Sequence, residues 1–356
     1  MQKKILTGIT VDSFSHPYDL AGLECLARIP VLPKFLSFMT KYFHEIPALV
    51  DLLSGSVRVT SKSYGKIHEL LIEACQILDM SPPPLFISQK YEANAYTLGI
   101  QNPMICLYTG LLDMLTEEEI QGVIAHELGH IKAKHYLYHS MVSFSMGGLT
   151  SIFIDKIPFA GGILTGFNLA LLSWLRKCEL TADRAELLVT QNSDINVSTC
   201  MKLAGGVQRK DFELSIDDFL NQSKDLAGLM EEVKIAKLIY WMNCLRQTHP
   251  LPVPRANFIH EWSKTDQYKR IFEGKYKKNP IKNCPFCNKE TAIDNHKCPF
   301  CLTKFKPIKY IFCHDCSYLI DSELTDKKVI KVCPNCGSKM ESGKNIFNEL
   351  AWDATP

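Results

Sequence analysis

Glycine is sparse in this chain, 19 of 356 residues, and proline does not exceed its usual share at 18, which excludes fibrous repeats and pervasive disorder. Net charge is almost absent, +2 at neutral pH, so generic polyanion binding by the whole molecule is not expected. No signal core is legible at the start, because the apolar stretch after Lys3 and Lys4 is interrupted by Thr7, Thr10 and Asp12. The chain is therefore expected to stay unexported. What is present is ordinary globular composition, 46% apolar and 22% charged, with length enough for two or three domains and a sizeable core.

Charge and cysteine are unevenly spread. From Lys264 to Lys344 there are 17 Lys and Arg against 9 Asp and Glu, so a basic tail follows a mildly acidic body. Eight of the 14 cysteines form four C-x-x-C pairs in the last quarter, the spacing of metal ligands. Cys284 and Cys287 face Cys298 and Cys301 across ten residues, and Cys313 and Cys316 face Cys333 and Cys336 across sixteen. Each half has the ligand count of a four-thiolate structural zinc site, with no open coordination position. The other six, Cys25, Cys75, Cys106, Cys178, Cys200 and Cys244, sit among apolar residues and are expected to be buried thiols in a reducing compartment.

The pattern divides into an N-terminal helical segment (1–60), a central domain (61–275), two zinc ribbons (276–345) and a short tail (346–356). Ile67, Leu70, Leu71, Ala74, Cys75 and Leu78 recur at helical spacing until Pro82-Pro83-Pro84 ends the helix. Strand-like pieces follow at 85–88, 95–98 and 104–108. Thr116 with Glu119 reads as a capping box, and Glu117, Glu118 and Glu119 put negative charge on a first turn, so a helix should start at residue 117. A second long helix is expected from about 167 to 191.

The first of these helices carries His126-Glu127-Leu128-Gly129-His130. H-E-x-x-H on a helix sets two imidazoles one turn apart on one face, where both can reach a single zinc ion, with Glu127 beside them to take a proton from a metal-bound water. His135 and His139 are the nearby rivals, and a straight helix turns both away by about 140 and 180 degrees. A catalytic zinc needs a third ligand and an open position, and a carboxylate from another helix is a common solution. The second helix offers Glu179-Leu180-Thr181-Ala182-Asp183, whose like charges at i and i+4 need an offset. Arg176, Lys177 and Arg184 on a solvated face are one answer. The other puts Glu179 on the metal and has Asp183 accept the free ring N–H of a ligand histidine.

Taken together, H-E-x-x-H, then E-x-x-A-D, then Thr248-His249-Pro250 with a following Arg255, resemble the HtpX-like and CAAX-prenyl-protease family of gluzincin metallopeptidases. Asn94-Ala95 and the segment 105–112 are similar to the family's strand and turn ahead of the zinc helix, and the resemblance covers about residues 60–260. It implies an α+β, mainly helical zincin domain with a small sheet. It also implies that His126, His130 and Glu179 bind zinc, that Glu127 is general base and acid, that His249 steadies the oxyanion, and that Asp183 and Arg255 support them. The expected molecule is a zinc endopeptidase acting on proteins or peptides, with a role in turnover of damaged proteins. Three zinc ions are expected, one catalytic and two structural.

Residues 140–175 contain only Asp155 and Lys156 as charges. Because His130 and Glu179 must meet at one ion, this segment crosses a membrane twice or not at all. Three arrangements stay open: a buried hairpin, an interfacial hairpin and a two-span hairpin, each with a cytoplasmic active site. The aromatic residues of the basic tail suit a ribbon core as well as base stacking, so a protein partner is favoured over nucleic acid. A non-catalytic adaptor is the rival from another class, and intact Glu127 argues against it.

Overall fold

The computed structural model describes residues 3–19, 45–99, 102–136, 174, 177–205, 214–244, 251–305, 310–312 and 319–321. The chain divides into two compact units, Met1–Ile293 with Pro299–Cys301, and Asp294–Cys298 with Leu302–Pro356. Residues 140–173, His249 and Cys313, Cys316, Cys333 and Cys336 lie outside the described residues, and with them the expectations about a hairpin, the oxyanion histidine and the second ribbon.

The first unit is mainly helical around a small mixed sheet. Strands β1 (Val57–Arg58), β2 (Leu85–Ser88), β3 (Ala95–Leu98) and β4 (Met104–Tyr108) are ordered β1-β2-β4-β3, with β2 and β4 parallel and the outer pairings antiparallel. Successive side chains on a strand point to opposite faces, which splits each strand's apolar residues between two layers. Leu85, Ile87, Ile105 and Leu107 enter the main core, whereas Phe86, Met104, Cys106 and Tyr108 pack on the other face with Leu52 of helix α1 (Ile46–Gly55).

The main core is closed by helix α2 (Gly65–Ile77), the short α3 (Thr109–Met114) and α4 (Glu117–Lys132). The capping box on α4 forms as the sequence predicts: Thr116 Oγ1 accepts from the Glu119 N–H and Glu119 Oε2 accepts from the Thr116 N–H at 2.8 Å. Every residue of α4 from Glu119 to His130 is buried, so this helix runs through the centre of the unit. Helix α5, residues 177–190, lies against it. Then come α6 (Ser193–Gly205), α7 (Ile216–Glu232), α8 (Lys234–Cys244), α9 (Pro252–Ser263) and α10 (Asp266–Phe272). Among the described residues no helix is long and apolar enough to cross a membrane.

The N-terminal segment belongs to the same core. Leu6, Ile9 and Phe14 are fully buried in it, and Arg184 of α5 donates to the carbonyls of Phe14 and Ser15 at 3.1 and 2.9 Å. Also in this unit, β5 (Ile281–Asn283) and β6 (Glu290–Ala292) form an antiparallel hairpin, at whose turn the Cys284 N–H bonds the Lys289 carbonyl and the Asn288 N–H bonds the Cys284 carbonyl. In the second unit the Cys298 N–H bonds the Thr303 carbonyl and the Leu302 N–H bonds the Cys298 carbonyl, repeating the same turn. Asn288 and Leu302 both have positive φ, 55° and 63°. That unit also carries the hairpin β7 (Tyr310–Phe312) and β8 (Leu319–Asp321).

Candidate active site

The site is assembled where α4 and α5 touch, and small residues decide how closely they do. A Cβ on Gly129 would sit 2.8 Å from Ala185 Cβ and 3.0 Å from Ala182 Cα, so the two helices approach to a distance that only glycine and alanine permit. Next to that contact stand His130, directly after Gly129, and His126 and Glu179, three residues before Gly129 and Ala182 respectively, all buried. His126 Nε2 and His130 Nε2 are 3.2 Å apart. Glu179 turns one carboxylate oxygen to each, 3.4 Å from His126 and 3.4 Å from His130.

The near oxygen is Oε2 toward His126 and Oε1 toward His130, so the three side chains converge on one position from three sides. Zinc held at 2.0–2.1 Å by nitrogen and oxygen in a tetrahedron has ligand–ligand edges of about 3.3 Å. A donor set with these spacings, buried away from water, fits a zinc ion. Without a cation, burial disfavours charge on His126, yet Asp183 and Glu179 raise its pKa from 6.5 to about 10, whereas burial keeps His130 below its ordinary value.

The like-charge pair on α5 finds its offset far along the chain. Arg255, at the start of α9, donates from Nε to Asp183 Oδ2 at 2.9 Å and from Nη2 to Asp183 Oδ1, and its Nη1 lies 3.6 Å from Glu179. Asp183 itself is 3.0 Å from His126 Nδ1. The solvated-face alternative therefore fails for this pair, because Glu179 and Asp183 are both about 1% exposed. Burial opposes charge on Asp183, but Arg255 beside it holds its carboxyl below the usual carboxylate range. Glu186, one turn further on, lies 3.9 Å from His126 Nδ1, and burial followed by the Asp183 charge pushes it up to about 7.

Glu127 faces a cleft of about 1010 Å³ whose walls include Ala95 on β3, Glu186, Tyr240 and Arg255. Its Oε2 accepts a hydrogen bond from Thr97 Oγ1 at 2.6 Å. β3 is one of the two edge strands of the sheet among the described residues, and it borders this cleft.

Sequence reasoning placed His126, Glu127, His130, Glu179, Asp183 and Arg255, and the structure brings all six together. It missed others. Thr97 carries no motif, and its role comes only from β3 passing over α4. His135 is the larger correction: α4 stops at Lys132, Lys134 takes φ 57°, and the chain turns back so that His135 Nδ1 lies 2.9 Å from His130 Nδ1. Asp19 closes the same cluster from the N-terminal segment, with His135 Nε2 donating to Asp19 Oδ2 at 2.9 Å. A lysine followed by histidine gives no warning of a left-handed turn.

Comparison with known proteins agrees with the geometry. The profile of peptidase family M48 matches residues 61–263. The chain belongs to that family. It is 34% identical over 280 residues to plastoglobule-localized metallopeptidase 48, chloroplastic, of Arabidopsis thaliana, covering 77% of this chain and 78% of that protein. It is 26% identical over 198 residues to protease HtpX homolog 2 of Methanosarcina acetivorans (48% and 65% covered), and 30% identical over 133 residues to protease HtpX homolog of Thermoanaerobacter pseudethanolicus (36% and 42% covered). The chain thus spans less than two thirds of these two HtpX homologues. As an M48 peptidase it is a zinc metalloprotease, and its mainly helical domain with a small mixed sheet fits that family.

Of the six scattered cysteines, Cys75, Cys106, Cys178 and Cys200 are buried thiols outside any disulfide, and Cys25 and the Cys244 side chain lie outside the described residues. In the first unit, Cys284 Sγ and Cys301 Sγ stand 3.6 Å apart with no disulfide between them, and the N–H groups of Cys287 and Phe286 hold the Cys284 thiol below its ordinary range.

Proposed function

We propose that this M48 protease is an endopeptidase whose catalytic zinc is held by His126, His130 and Glu179. The observation that carries the reading is the buried cluster of two imidazoles and one carboxylate, each offering a donor atom within 4.8 Å of the others, with Glu127 next to them on an open cleft. When bound, the zinc polarises a scissile carbonyl and lowers the pKa of water toward about 7. Glu127, steadied by Thr97 at Oε2, takes the proton at Oε1 and returns it to the leaving amine. Asp183 accepts the His126 Nδ1–H and so leaves Nε2 free to ligate, and Arg255 holds both the Asp183 and the Glu179 side chains in place. His249 steadies the oxyanion; Pro252, Val253 and Pro254, which follow it closely in the chain, line the cleft and support this assignment. The position of β3 at the sheet edge beside the cleft suits an extended, unfolded peptide added as a further strand, in keeping with turnover of damaged proteins.

Two structural zincs complete the proposed molecule, one on Cys284, Cys287, Cys298 and Cys301 and one on Cys313, Cys316, Cys333 and Cys336. Support comes from the ligand spacing, from the repeated turn after Cys284 and Cys298, and from the 3.6 Å sulfur separation, near the edge of about 3.8 Å for a zinc–thiolate tetrahedron. The ribbons serve to contact a protein partner or substrate. An unexported, reducing location is supported by the four buried free thiols, with a cytosol-facing active site and any membrane contact made through 140–175.

Metal analysis tests this directly. Purified protein is expected to carry three zincs per chain and to cleave unfolded casein; Glu179→Ala should carry two and cleave none. Full occupancy in Glu179→Ala would remove that residue from the metal. A strong chelator should go further and unfold the ribbons, seen as loss of β7–β8 hydrogen-exchange protection.

A further inference from the structure

Both proposed ligand imidazoles need their far nitrogen held, and the two are held differently. His126 gives its Nδ1–H straight to a carboxylate, Asp183. At His130 the Nδ1 meets another imidazole nitrogen, His135 Nδ1, at 2.9 Å, and His135 Nε2 meets Asp19 Oδ2 at 2.9 Å.

The protons in this chain can be assigned. With His130 Nε2 on zinc, its Nδ1 must carry hydrogen, so it donates and His135 Nδ1 must accept. A neutral His135 then has its hydrogen on Nε2, which donates to Asp19. Asp19 is suited to be the fixed end. It is fully buried, accepts from Thr181 Oγ1 at 2.6 Å on the same oxygen and from Cys178 Sγ at 3.4 Å on the other, and these partners, His135 above all, hold its carboxyl below the usual range against the effect of burial. Trp174 Nε1 binds the Asp19 carbonyl at 3.2 Å and so anchors its backbone.

Another occupant must be weighed, since Asp19, His135 and Cys178 lie close enough together to suggest a second metal. The geometry speaks against it. A 2.9 Å gap between nitrogen and carboxylate oxygen is a charge-assisted hydrogen bond, shorter than the edge of about 3.3 Å that ligands spread around zinc require.

We propose that Asp19 and His135 form a two-step relay that sets the tautomer and ring angle of His130, doing through an extra imidazole what Asp183 does for His126. Both are positioning residues, not catalytic ones. The relay makes the N-terminal segment part of the metal centre, since Asp19 lies outside the 61–263 match that defines the protease domain. It also explains why α4 ends in a left-handed turn at Lys134: only a chain that doubles back brings His135 onto His130.

The inference rests on His130 being a zinc ligand, and its test separates the two. Zinc affinity is measured by chelator competition on the full chain, with Glu179→Ala identifying the catalytic-site ion. If Glu179→Ala loses no zinc, the ligand assignment fails before the relay is reached. If it does lose one, His135→Phe should bind that ion about 10–100-fold more weakly, the usual loss when a partner behind a metal ligand is removed. His135→Gln, which carries an acceptor and a donor in one side chain, should recover most of the affinity. Equal affinities for wild type, Phe and Gln variants would overturn the relay. Should His135→Phe fail to fold, nitrogen NMR of the zinc-loaded wild type decides: His135 is expected as the Nε2–H tautomer, with a scalar coupling across the Nδ1···Nδ1 hydrogen bond. An imidazolium at His135, or a hydrogen on its Nδ1, would refute the assignment, as would a zinc-dependent shift of Cys178 marking a second metal.

Discussion

Glu127→Gln is expected to abolish casein cleavage while leaving the catalytic zinc in place. The amide is nearly isosteric, and its oxygen can still accept the Thr97 hydroxyl that now binds Oε2, so the cleft wall and α4 should be undisturbed. Glu127 is not one of the three clustered donor groups, so its loss removes no metal donor. What it removes is the only step an amide cannot perform, taking a proton and giving it back. General acid–base catalysis contributes about 10²–10⁴-fold, so kcat should fall by at least that order with little change in KM. His126→Ala should lose zinc and turnover together. The pair of variants separates a missing base from a missing metal, and an unchanged casein cleavage rate in Glu127→Gln would refute the assigned role.

How much of this was legible depended on whether the signal was local. The capping box at Thr116 and Glu119, the three strands around the pre-helix turn and the i, i+4 histidines all follow from residues within a few positions of one another, and each stands where the sequence implied. Arg255 could be attached to the site by resemblance to a family, but its two carboxylate contacts, 72 and 76 positions away, could not be derived from periodicity. Asp19 was further beyond reach: it is 116 residues from His135 and belongs to a segment whose sequence carries no chemical pattern. Helical projection placed His135 on the wrong side, because it assumes that the helix continues. Hydrophobic period reports which face is inward, and it is silent on where a buried helix stops.

Gly129→Ala is expected to destabilise the protein and weaken its catalytic zinc site, against the usual rule for glycine in a helix. In an exposed helix interior, Gly→Ala stabilises by about 1 kcal/mol through backbone entropy and propensity. At Gly129 the new methyl would stand 2.8 Å from Ala185 Cβ and 3.0 Å from Ala182 Cα, so α5 must move off α4. Overpacking of that kind costs about 1–3 kcal/mol, which outweighs the propensity gain. The site should suffer more than the fold. Glu179 rides on α5 only three residues before Ala182, and metal ligation tolerates shifts of about 0.2 Å, so separation of the helices stretches the 3.4 Å edges beyond what one ion can span. Zinc affinity should drop, with turnover falling about 10²-fold for a misplacement near 1 Å. Gly228→Ala is the matched control. It lies inside α7 with open space where its Cβ would go, and there the same substitution should raise Tm with activity unchanged. Were Gly129→Ala to raise Tm as well and keep its zinc, the close crossing of α4 and α5 could not be what sets the distance between the histidines and Glu179.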